Sequence, residues 1–259
     1  MKKMQLALAI SLMVSGSAYA TGFTNGNFET GDLTGWTGGG GTWFGSPIAP
    51  VNPSTYVGGT PNNTIMTGGA DPITGANRVY SGNDSVRVND SVNNYSVSTL
   101  SQTVANYTDS AIFFAWNAVL EASHGLTDSD YFSLTLHDNT TSSDVVNRGY
   151  SSAGSIGGGT TGVNWTQYGN WFSSGWVTES IDLTTAGAGG TSIVGDSLTL
   201  SLLASDCPYG GHAGYVYLDG FGAIIPPPGP VPEPEIMAML AFGALGLATI
   251  RRRRTFIEA

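Results

Sequence analysis

The stretch SDCPYGGHAGY, residues 205–215, places a thiol and an imidazole five residues apart. Pro208 and the pair Gly210-Gly211 force a turn between Cys207 and His212. A thiol beside an imidazole is the nucleophile pair of cysteine chemistry, and the same two side chains begin a zinc site. Catalysis lacks a third residue to orient the imidazole, and zinc would need His124 or His137 as further ligands. The plain alternative is a tight hairpin loop with a hydrogen-bonded histidine. A second group is WTQYGNWFSSGW, residues 165–176. A pyranose has one apolar face and a polar rim, so flat rings beside amides suit it. Trp165, Tyr168 and Trp171 form a candidate loop platform, with Gln167 and Asn170 as hydrogen-bonding partners. The alternative is packing beneath the Gly-rich stretch 151–162. Trp176 and Trp36 read as core.

Other chemistries lack their residues. The chain has no G-x-S-x-G, H-E-x-x-H, P-loop or dinucleotide fingerprint. Its carboxylates are scattered, so nothing singles out a glycosidase pair. Between residues 21 and 230 stand three cations, Arg78, Arg87 and Arg148, against 16 carboxylates, a net charge of −13. Nucleic acid, which needs clustered Lys and Arg, is excluded as a partner. Carboxylate excess on an exported chain favours divalent cations, Ca²⁺ first. Cys207 is the only cysteine, so no internal disulfide can form; an intermolecular link or a buried thiol is left.

The elements that must position these residues are strands. In 111–120, Ile112, Phe114, Trp116, Ala118 and Leu120 share one face of a period-two pattern. Phe132, Leu134 and Leu136 do so in 130–137, Leu198, Leu200 and Leu202 in 197–202, and Val216 and Leu218 in 215–218. Weaker strands fall at 85–89, 96–104 and 177–183. About seven strands between Gly, Asn and Asp turns predict an all-β fold, an antiparallel β-sandwich. Residues 37–82, rich in Gly and Pro, read as a long loop insertion.

Both ends carry addresses. Lys2 and Lys3, the apolar run 4–14 and Ala18-Tyr19-Ala20 form a secretory signal peptide over 1–20 with cleavage after Ala20 by signal peptidase. The ectodomain is then 21–225, followed by a Pro-rich linker at 226–235. Residues 236–250 are an apolar run that, as a helix, would reach about 22 Å, short of a hydrocarbon core of roughly 30 Å. Residues 236–259 thus comprise a short hydrophobic helix and an Arg-rich tail. Val231, Pro232, Glu233 and Pro234, then the apolar run, then Arg251, Arg252, Arg253 and Arg254, resemble the PEP-CTERM sorting signal of Gram-negative bacteria. The resemblance implies transient anchoring in the inner membrane and processing by an exosortase. It also implies delivery to the cell envelope or to the exopolysaccharide matrix of a biofilm. The alternative is a plain C-terminal anchor.

The opening NGNFETGDLTGW, residues 25–36, resembles the first strand of jelly-roll modules of the galactose-binding and carbohydrate-binding type. GYVYLDGFGA, residues 214–223, is similar to their closing strand. The resemblance implies that these strands lie side by side and that Glu29 and Asp219 hold a structural Ca²⁺ with backbone carbonyls. A loop like 206–215 recurs in exported surface proteins. The expectation is a jelly-roll-like, non-catalytic surface protein that binds polysaccharide. Alternatives are a structural or adhesive matrix protein and a hydrolase.

Overall fold

A computed structural model describes residues 22–44, 53–121, 129–151, 160, 162–210 and 212–222. The signal peptide with Ala20, the linker, the Pro-Glu-Pro motif, the apolar run and the arginines lie outside the described residues, as does His124.

Among the described residues, twelve strands form two antiparallel sheets. The smaller runs β1 (Thr37–Thr42), β4 (Ser96–Val104), β11 (Leu198–Ser205), β6 (Tyr131–Asp138), β7 (Ser143–Tyr150) in spatial order. The larger runs β2 (Thr64–Thr67), β3 (Asp84–Val88), β12 (Gly214–Gly222), β5 (Ala111–Glu121), β9 (Trp171–Ser173), β8 (Thr166–Tyr168). β10 (Val177–Asp182) continues along the same edge of β5 as β9. The break between them is a kink at Ser174 and Gly175, whose φ of 60° suits glycine. Ser174 closes it by donating its N–H to Ala118 O and accepting the Ala118 N–H on Oγ.

Period-two alternation turns the apolar sets inward. Leu100, Phe132, Leu134, Leu136, Leu198, Leu200 and Leu202 from the smaller sheet meet Val86, Val88, Ile112, Phe114, Trp116, Val216 and Leu218 from the larger. Burying each such side chain contributes about 1.5–3 kcal/mol. The antiparallel β-sandwich expected from the pattern, jelly-roll-like as the resemblance implied, is the observed fold.

Three expectations need correction. The opening 25–36 is a series of turns, not a strand, and a single bond from Phe221 N–H to Gly26 O ties it to β12. The region 37–82, read as loop, contributes β1 and β2. β1 is TGGGGT, invisible to an apolar pattern. Its glycines admit residues 56–61 on both faces of the strand: a Cβ at Gly39 would collide with Tyr56 O, and one at Gly40 with Thr60 O. The third correction adds β7, β8 and β9, short or half-exposed strands with no clean alternation.

The opening turns plug one end of the sandwich. Phe23, Phe28, Trp36 and Phe221 pack as a ring cluster, Trp36 to Phe221 at 5.2 Å between centroids. Asn25 fixes it, its carbonyl accepting the Trp36 Nε1–H at 3.1 Å and its Nδ2 donating to Asp32 O at 2.8 Å. Phe28 is fully buried in the left-handed region, φ 58°, which directs the next residue, Glu29, toward residues 80–84.

Candidate functional site

Glu29 and Asp219 grip one loop from two sides. Glu29 Oε1 accepts N–H from Asn83 at 2.8 Å and Asp84 at 2.9 Å, while Oε2 accepts the Asn83 Nδ2–H at 3.1 Å. Asp219 Oδ2 accepts N–H from Tyr80 at 3.1 Å and Ser81 at 2.9 Å. Asp219 is fully buried and its Oδ1 has no hydrogen-bond partner. Burial, with a small addition from the Glu29 charge, pushes its carboxyl up to about 8 against the pull of the neighbouring N–H groups. The two residues that the resemblance singled out therefore converge, although not from adjacent strands.

The aromatic group is split. Thr166 pairs with Ser173 and Tyr168 with Trp171 across a hairpin whose turn is Gly169-Asn170, with Gly169 at φ 63°. Alternation puts Tyr168 and Trp171 on the outer face of the larger sheet. Trp165 and Gln167 belong to the other face. Trp165 packs on the core between the sheets and its Nε1 is buried, so it does not join the platform drawn from sequence. Gln167 donates to Gly169 O at 2.9 Å, and Asn170 is exposed at the turn. Trp176, read as core, is half-buried on the outer face, where it donates to Asn77 O at 2.8 Å and packs near Tyr80.

The platform has members that the sequence reading missed. Trp171 lies 6.0 Å from Tyr215, whose ring carries the Arg87 guanidinium at 5.7 Å. Arg87, Tyr215, Trp171 and Tyr168 thus form a row across β3, β12, β9 and β8, over β5. Exposure grows along the rings: Tyr215 1%, Trp171 half-buried, Tyr168 37%. Tyr215 and Tyr217 both donate hydroxyls to Asp71 Oδ2, at 2.7 and 2.8 Å. Burial pushes Asp71 up, but these hydroxyls and the Thr74 N–H outweigh it and hold the carboxyl below its usual range. The signal was present in Tyr215-Val-Tyr-Leu218, whose outward positions are both tyrosine.

Cys207 and His212 close a hairpin loop through the backbone, Cys207 N–H to His212 O at 2.9 Å. His137 cannot join them. It sits opposite Thr199, eight residues from Cys207, or about 26 Å of strand rise. Its Nδ1 lies 2.7 Å from Asp144 Oδ1.

Several solved structures are similar in outline. TmCBM61 in complex with β-1,4-galactotriose is 12% identical, with a TM-score of 0.39, over 78% of this chain and 97% of that one. The cleaved K2 adhesin domain of Lys-gingipain is 16% identical, TM-score 0.37, over 80% and 97%. The family 11 carbohydrate-binding module from Clostridium thermocellum is 10% identical, TM-score 0.31, over 73% and 90%. Values this low carry no inference about a ligand. No curated protein matches the chain. The family description that matches is the PEP-CTERM protein-sorting motif, over residues 230–254, and by that motif the chain is an exported, exosortase-sorted protein.

Proposed function

We propose that this is a non-catalytic protein of the Gram-negative cell envelope or extracellular matrix that binds polysaccharide on the outer face of its larger sheet. The observation that carries the reading is the row Arg87–Tyr215–Trp171–Tyr168, a ring surface rising out of the sheet toward solvent. Rings of this kind stack on the apolar face of a sugar, and Asn170 at the turn and the Arg87 guanidinium are donors for its rim. Ca²⁺ at Glu29 and Asp219 braces the loop 80–84. The uncommitted, buried Asp219 Oδ1 beside a second carboxylate fits a cation that takes oxygen ligands.

Trp171→Ala tests the binding face. Retention on insoluble polysaccharide should fall at least tenfold, a loss of about 1.4 kcal/mol of binding. Stability should fall by only about 1 kcal/mol, the worth of one aromatic contact with Tyr215. Trp165→Ala, on the core side, should do the reverse, costing about 3 kcal/mol with retention unchanged in the folded fraction. A Trp171 variant that loses several kcal/mol would return that ring to packing and end the proposal.

An adhesive role without a small ligand is the second reading. Phe44, 72% exposed, packs its ring 4.9 Å from that of Tyr95, and Val92, 57%, and Tyr209, 49%, are further exposed apolar side chains. Unchanged retention in Trp171→Ala would favour this surface.

A further inference from the structure

At the end of the sandwich opposite Glu29 and Asp219, a second pair of acids faces inward. Asp130 precedes β6 in register with Phe132, Leu134 and Leu136, so alternation turns it into the interior. It is wholly buried, and neither carboxylate oxygen has a hydrogen-bond partner. Asp206, which follows β11, is equally buried but fully engaged. Its Oδ1 accepts from Asn89 Nδ2 at 3.0 Å and Gly214 N at 3.4 Å. Its Oδ2 accepts from Asn94 N at 3.0 Å, Ser96 N at 2.9 Å and Ser96 Oγ at 3.2 Å.

Gly214 links the two. Its N–H is bound to Asp206, and a Cβ on it would stand 2.9 Å from the Asp130 Cβ and 3.0 Å from Ser205 O. A third charge, Glu121, ends β5 and accepts the Ala213 N–H at 3.0 Å. The His137–Asp144 and Arg148–Glu179 ion pairs both lie elsewhere.

We infer that a divalent cation, Ca²⁺ by preference, binds at Asp130, beside Asp206, with the Ser205 carbonyl and water completing its shell. An isolated buried carboxylate is too costly to keep charged, so it takes up a proton or a cation. A proton would neutralise Asp130 alone and would do nothing against the neighbouring Asp206 and Glu121 charges. A cation engages both oxygens and offsets the neighbouring charges. Among the described residues no three Asp, Glu, His or Cys side chains gather around one point. The site therefore belongs to the weak extracellular class, with dissociation constants of about 10⁻⁴–10⁻³ M.

The inference stands apart from the site at Glu29, and equilibrium dialysis of the full chain against Ca²⁺ separates them. Glu29→Ala should retain one bound ion, and adding Asp130→Asn should remove it. Asp130→Asn should also raise the melting temperature in chelator, because the neutral amide ends the repulsion, while removing the rise that Ca²⁺ gives the Glu29→Ala protein. A Glu29→Ala protein that binds no Ca²⁺, measured without any change at Asp130, overturns the inference. So does an Asp130→Asn variant that binds as many ions as its parent, with affinity within twofold.

Discussion

The two ends of the sandwich solve one problem in different ways. Each carries a pair of acids around β12, at Asp219 and at Gly214, about 17 Å apart at roughly 3.4 Å per residue. At the Glu29 end the donors are shared: Glu29 takes two N–H groups and an amide, Asp219 two N–H groups, and one oxygen is left over. At the Asp130 end they are not shared. Asp206 takes five and Asp130 none. An anion with five donors is a structural anchor, and one with none is a vacancy for charge. Position in the fold does not distinguish them; the supply of loop N–H groups does.

The largest effect should come from the anchor. Asp206→Ala strands the N–H groups of Asn94 and Gly214 and one Asn89 amide hydrogen, the other still reaching Gly214 O, and leaves the Ser96 N–H only Asn94 Oδ1. Leaving several buried donors unmade should cost about 3–5 kcal/mol in urea unfolding. Asp219→Ala removes the acceptor of only two N–H groups and should cost less. Equal losses would break the comparison.

The next effect is pH-dependent. Burial holds the Asp219 carboxyl up at about 8 in the folded chain, well above the usual carboxylate range, so the folded state holds its proton more tightly than the unfolded state. The stability tied to that proton is whole below about pH 4 and is lost as pH rises through 8. In chelator the melting temperature should therefore fall between about pH 5 and 8, and Asp219→Asn should flatten its share of the fall. Asp206, also raised, acts in the same sense; Asp71, held low, acts only below this window. Near pH 8, Ca²⁺ at 100 times its dissociation constant should restore roughly 2.7 kcal/mol. If chelator leaves the curve at pH 8 unchanged, calcium does not bind at this end.

Much of this contrast was written in the sequence, unevenly. The inward strands were legible because Ile112 to Leu120 and Leu198 to Leu202 alternate cleanly. Glu29 and Asp219 were reached through resemblance, and their convergence on residues 80–84 depends on turns that periodicity does not encode. Asp130 was half legible: it occupies an inward position of the pattern that identified Phe132 and Leu134, where an acid is anomalous. Its isolation was not, because the donors that Asp206 captures come from residues 89–96 and from Gly214, over a hundred residues away or across a hairpin. β1 was illegible for a simpler reason. Four glycines carry no pattern, and only the close passage of residues 56–61 explains them. The face of Trp165 depended on the register of the Gly169-Asn170 hairpin, which a one-residue slip reverses.

The smallest effect tests how rigidly the Glu29 end is built. Gly82 sits at the turn of the gripped loop with φ +76°, a conformation that costs an L side chain about 1 kcal/mol. A Cβ there would also collide with Glu29 Oε1. Glu29 is half-buried and its carboxylate terminates a flexible side chain, so it can swing aside, but only by releasing the Asn83 and Asp84 N–H groups. Those donors lie near solvent and regain water, so Gly82→Ala should cost no more than about 2 kcal/mol in all. The informative readout is calcium. If Glu29 and Asp219 share an ion, displacing Glu29 should weaken Ca²⁺ binding there while leaving the Asp130 end untouched. Dialysis would then lose the Glu29-end ion and keep the other. An equal loss at both ends would mean that the two pairs of acids are coupled through β12. The contrast between them would then describe one device rather than two.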